Sequence, residues 1–219
     1  MNKLTAPVME LVATAILAVA IVGSGFMATD LTKDLGLTLL INGLVIASAL
    51  VIVISISAPI SGAHLNPVVT LILFLKKRID LSQALSFIVA QIFGAIGGVL
   101  FANYLFTERL MQSSDNLRSG TNLFVSEIFA TAGLLWVILA NLKKPELIKI
   151  FVPLFILGAM FFTPSTAFAN PAITIARSFT DSFTGIDLQS VPAFLLAQLI
   201  GALLGLLIAN LFGKEIKNV

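Results

Sequence analysis

Of 219 residues, 58% are hydrophobic and only 11% charged, and the mean hydropathy is +1.05. So few charges cannot solvate a globule of this size, which excludes a soluble domain, a disordered chain, a coiled coil and a nucleic-acid binder. The net charge is only +2, there are no cysteines, and His64 is the single histidine, so disulfides, thiolate chemistry and histidine-rich metal sites are excluded too, and no metal or cofactor is expected.

A helix needs about 20 mostly apolar residues to cross roughly 30 Å of hydrocarbon. Six such runs occur, at 7–28, 36–57, 82–106, 123–141, 147–163 and 191–213. The first carries Glu10; it is too long for a signal-peptide core and lacks a cleavage site, so it reads as retained. After the second comes a shorter apolar stretch, 66–75, that opens with Asn66-Pro67 and cannot cross. Lys76-Lys77-Arg78 follows it and suits lipid phosphates. The polar stretch 107–122 reads as a solvated linker without chemistry. The fourth span carries Glu127, and after the fifth a second short stretch, 170–180, opens with Asn170-Pro171.

Placing the N-terminus inside puts Lys3, Lys76, Lys77, Arg78, Lys143, Lys144, Lys149, Lys214 and Lys217 on the cytoplasmic side and Lys33, Arg109, Arg118 and Arg177 on the other. The positive-inside rule favours that orientation, with both termini cytoplasmic in the cell membrane.

Three patterns recur in the same order in both halves. Glu10-Leu-Val-Ala-Thr14 matches Glu127-Ile-Phe-Ala-Thr131; Asn66-Pro67-Val68-Val69-Thr70 matches Asn170-Pro171-Ala172-Ile173-Thr174; Ala90-Gln91-Ile-Phe-Gly94-Ala95 with Gly98 matches Ala197-Gln198-Leu-Ile-Gly201-Ala202 with Gly205. Each half carries an odd number of crossings, so the second must be inverted relative to the first. The expectation is one all-α domain over 1–219, with repeats at about 6–106 and 123–213 and linker 107–122.

Asn-Pro starts a helix well: asparagine is a favoured N-cap, and proline at the first position lacks an N–H that would be unsatisfied anyway. Irregular backbone at membrane depth is tolerated only where protein buries it or where it lines a water-filled cavity. Two such starts in inverted halves bring two positive helix ends and two asparagine amides to a common axis, which repels protons and cations and offers hydrogen bonds to neutral solutes.

The runs Ser61-Gly62-Ala63-His64-Leu65-Asn66-Pro67-Val68-Val69-Thr70 and Phe168-Ala169-Asn170-Pro171-Ala172 resemble the two signature loops of the aquaporin (major intrinsic protein) family, and the paired Glu and Gln patterns resemble its remaining landmarks. The resemblance implies six tilted helices in a right-handed bundle with two re-entrant half-helices. It also implies one pore per subunit, a homotetramer in the lipid bilayer, and a passive channel for small neutral solutes rather than an enzyme. Asn66, Pro67, Val68, Asn170, Pro171 and Ala172 would form the pore motifs, with loop carbonyls lining one side.

Two departures stand out. Val68 replaces the usual alanine, and Ile173 stands where the family's filter usually carries arginine. By the family's spacing the other filter positions fall on Ile46, Gly158 and Ala167, a ring without charge. Such a ring favours solutes larger than water, such as glycerol, urea or arsenous acid, and the run Ser165–Ser178 resembles bacterial members associated with arsenic resistance. Arg177 is expected in the outer vestibule near Asp181; an alternative alignment with a four-residue insertion returns it to the filter. His64, Glu10 and Glu127 are read as structural, each Glu accepting hydrogen bonds from its half's loop. The glycine pairs read as helix packing. The rival reading is an ion-coupled secondary transporter with inverted repeats, whose only candidate coupling groups are Glu10 and Glu127.

Overall fold

The computed structural model describes residues 4–212; Lys3, Lys214 and Lys217, counted above for orientation, and the last residue of the sixth run lie outside them. The elements run α1 (Thr5–Leu31), α2 (Leu35–Ser61), α3 (Pro67–Leu75), α4 (Leu81–Leu105), α5 (Thr121–Ala140), α6 (Pro145–Phe162), α7 (Pro171–Ala176) and α8 (Val191–Phe212). All six long helices are apolar enough to cross a membrane, and no strand occurs among the described residues. The expected spans are all present, and several run further. The α2 helix continues four residues past the expected end and carries Pro59 inside it, with Ser61 Oγ reaching the Ser57 carbonyl. The second short stretch is trimmed instead: α7 stops at Ala176 and Arg177–Phe179 forms a 3₁₀ turn.

Side-chain caps open α2 and α4. Asp34 Oδ1 accepts from Leu37 N at 2.7 Å and Asp80 Oδ1 from Gln83 N at 2.7 Å, each capping donors that would otherwise lack a partner. Long apolar side chains such as Ile52, Phe93, Phe129 and Leu207 stay exposed on the outside of the bundle, where lipid rather than water is the solvent.

Because lipid is as apolar as the side chains, helices here associate by close packing. The main pairs are α1 with α4 and α5 with α8. A Cβ on Gly94 or Gly98 would press into the carbonyl oxygens of Leu11 and Ala15 of α1; one on Gly201 or Gly205 would press into those of Ile128 and Ala132 of α5. The packing role expected for these glycines follows from that approach. The α2 helix lies against α1 and α6, and the short helices α3 and α7 both pack on α4 and α8 and touch each other.

Candidate functional site

The two short helices meet at their N-termini. Asn66 Oδ1 caps α3 by accepting from Val68 N at 3.0 Å; Asn170 Oδ1 caps α7 by accepting from Ala172 N at 3.1 Å. Each amide nitrogen then crosses to the other loop: Asn66 Nδ2 donates to the Ala169 carbonyl at 2.7 Å and Asn170 Nδ2 to the Leu65 carbonyl at 2.8 Å. An amide NH₂ carries two hydrogens, so each asparagine, capping and bridging at once, keeps one N–H free. Both residues line a cavity of about 150 Å³ that runs between the two loops.

The loops before these helices have matched backbones. Gly62, Ala63 and Leu65 adopt positive φ, and so do Thr166, Ala167 and Ala169. For the five residues other than glycine this costs about 1–2 kcal/mol each. The return is orientation. His64 N and Leu65 N donate to Glu10 at 3.0 and 2.6 Å, and Phe168 N and Ala169 N donate to Glu127 at 2.9 and 3.0 Å. With the N–H groups turned back to the carboxylates, the carbonyls of Gly62, Ala63 and His64 and of Thr166, Ala167 and Phe168 find no protein donor, and all six residues line the cavity.

Each fully buried carboxylate is held from the other side as well. Gln91 Nε2 bridges Glu10 (2.8 Å) and Thr70 Oγ1 (2.9 Å); Gln198 Nε2 bridges Glu127 (2.9 Å) and Thr174 Oγ1 (2.8 Å). Ser61 Oγ adds a fourth bond to Glu10 at 2.6 Å. The Thr70 hydroxyl that accepts from Gln91 also meets His64 Nδ1 at 3.1 Å, so the histidine ring is tied into the same network. His64 and Phe168 hold equivalent places in the two loops, each with a phenylalanine edge-on, Phe87 and Phe194 respectively, at 5.1 Å.

A model of the family described as "Major intrinsic protein" matches residues 1–163. The chain belongs to the major intrinsic protein family. It is 40% identical to the aquaglyceroporin AqpS of Rhizobium meliloti (strain 1021) over 91% of this chain and 86% of that one, and 30% identical to a probable TIP-type aquaporin, RB7-18C, of Nicotiana tabacum over 96% and 88%. In fold it is similar to the aquaglyceroporin from Plasmodium falciparum, with a TM-score of 0.73 at 23% identity and 96% of both chains covered. A major intrinsic protein is a multi-pass membrane channel that passes small neutral solutes, not an enzyme.

Against that family frame, Ile46, Ala167 and Ile173 line the cavity, whereas Gly158 does not. The helical phase of α6 presents Ile148, Val152, Ile156 and Met160 to the cavity, four residues apart, and a Cβ on Gly158 would face Phe162 instead. Met160 therefore occupies the wall that sequence spacing gave to Gly158.

Arg177 is not paired with Asp181. Its Nε donates to the Thr184 carbonyl, its guanidinium lies 3.5 Å from the centroid of the Phe168 ring, and the residue lines the cavity. The Asp181 carboxylate accepts from Asp115 N at 3.2 Å. The linker is not merely solvated either. Ser114 is buried, and Arg118 reaches the cavity with its guanidinium 5.0 Å from the same ring, anchored by Nε to the Gly185 carbonyl at 3.0 Å. Burial pulls the Arg118 guanidinium below its ordinary pKa and the Glu127 charge opposes this, but a guanidinium stays charged at any physiological pH. Arg118, Asn42 and Met160 were missed in the sequence because neither period nor motif marks them.

Proposed function

We propose that the chain is a single channel domain of two inverted repeats that conducts water and small neutral solutes such as glycerol or urea passively across the cell membrane. Protons and ions are excluded. The observation that carries this reading is the reciprocal asparagine bridge, with two half-helix N-termini and six unpaired carbonyls on one cavity. A solute crossing there exchanges its hydration for carbonyl acceptors and the free asparagine N–H groups, while the two positive helix ends oppose a cation. The chain's likeness to an aquaglyceroporin favours glycerol-sized solutes, and the apolar walls from Ile46, Ala167 and Ile173 favour them over water alone. Arsenous acid, a neutral trihydroxylated molecule of similar size, meets the same requirements. The reading extends to a homotetramer with both termini cytoplasmic.

Stopped-flow light scattering on proteoliposomes tests it, with water, glycerol, urea and arsenous acid gradients run in parallel. Glycerol flux well above that of empty liposomes is the expected result. Fast water flow with all three larger solutes excluded would overturn the solute assignment.

A further inference from the structure

The cavity mouth opposite the α2–α3 turn carries polar groups that the asparagine bridge does not use. Arg177 is buried, yet only its Nε meets a protein acceptor, so the four N–H groups on its two terminal nitrogens are unpartnered in a residue that lines the cavity. Arg118 spends Nε on Gly185 and one terminal nitrogen on Phe183, leaving further donors on the same cavity. On the same cavity, Asn42 Nδ2 is tied to the Ile21 carbonyl at 2.9 Å and Ser24 Oγ at 2.8 Å, which leaves its Oδ1 as an acceptor without a protein donor. Gly25, next to Ser24, packs directly on Thr184, the residue that holds Arg177, so these groups share one end of the bundle.

From this we infer that Arg118 and Arg177, both over the Phe168 ring, together with Asn42 on the same cavity, form the polar half of this channel's selectivity filter and select hydroxylated neutral solutes while turning cations away. The filter arginine absent at Ile173 is thereby replaced from two other places, one turn further along the chain and the interrepeat linker. Guanidinium forks, held over the Phe168 ring, donate to solute oxygens, Asn42 Oδ1 accepts a solute hydroxyl, and Ile46 and Ile173 cover the carbon side. Two fixed positive charges on the cavity wall raise the barrier to any cation.

This rests on the channel reading above, and one experiment separates the two. The full chain and its Arg118→Gln, Arg177→Gln and Arg118→Lys variants are reconstituted, and glycerol swelling and potassium flux are read on the same vesicles, with the exposed linker residue Arg109→Gln as control. The expected result is that both glutamine variants raise potassium flux about ten-fold or more. Arg118→Lys should keep cations out and yet lower glycerol flux, because a point charge lacks the planar fork; Arg109→Gln should match wild type. Should Arg177→Gln fail to give monodisperse protein, the two Arg118 variants decide alone. Potassium exclusion unchanged in folded Arg118→Gln overturns the filter assignment and leaves the channel standing, whereas a wild type that passes neither water nor glycerol overturns both.

Discussion

Glu10 and Glu127 separate a structural carboxylate from a proton carrier. Glu10 receives Ser61 Oγ, His64 N, Leu65 N and Gln91 Nε2, and Glu127 receives Phe168 N, Ala169 N and Gln198 Nε2. A glutamine at either position has one acceptor oxygen, and in its better orientation its NH₂ still faces a backbone N–H, His64 or Phe168, that it cannot accept. Each substitution should therefore cost about 1–3 kcal/mol, the penalty of a buried donor left unmade, read as a lower melting temperature in detergent. A proton carrier would instead tolerate glutamine with stability unchanged and lose coupled transport. The structural role was legible because each Glu recurs in the same Glu-x-x-x-Thr pattern, in the first span of its half and ahead of its own Asn-Pro. The roles of the arginines were not. Arg118 is positioned by contacts that no local pattern encodes: Asn116 Nδ2 to the Ser182 carbonyl at 2.7 Å, Asp187 N to the Asn116 carbonyl at 2.8 Å and Arg118 N to Ser190 Oγ at 3.0 Å.

At the level of helices, spans and half-helices could be read from run length and Asn-Pro, whereas helix phase could not. A soluble helix shows its core as a stripe, but α6 is apolar toward lipid at Leu154 and Phe161 and toward the cavity at Val152, Ile156 and Met160, so the run of apolar residues does not by itself say which face carries the pore. The family's spacing points to Gly158, whereas the residue of α6 that lines the cavity there is Met160. Glycine spacing is a better guide to phase, since only a close approach demands it. Alanine at Gly94 or Gly98 should destabilise the α1–α4 pair by about 1–3 kcal/mol through overpacking against backbone that cannot move aside. Gly97, whose added Cβ meets nothing within 4 Å, provides the contrast in the same helix. Gly97→Ala should melt no lower than wild type, and equal losses at all three positions would contradict close packing as the reason for the spacing.

For the whole molecule, the question is whether transport needs a second conformation. In a transporter with broken helices the unwound segments bind a coupling ion, and the two halves rock around it. Here the groups that would bind such an ion are already engaged: each buried carboxylate accepts two loop N–H groups and a glutamine amide, and each asparagine ties its own half-helix to the opposite loop. Rocking one half against the other would break both asparagine bridges and leave the Leu65 and Ala169 carbonyls without partners, at about 1–3 kcal/mol for each. The halves should therefore stay together, and solute should move through a standing path. Glycerol uptake into proteoliposomes is then expected to rise in proportion to the gradient up to high concentration and to be indifferent to ionophores that collapse proton or sodium gradients. Uptake that saturates, or that falls when either gradient is dissipated, would require the two halves to move and would sink the passive reading.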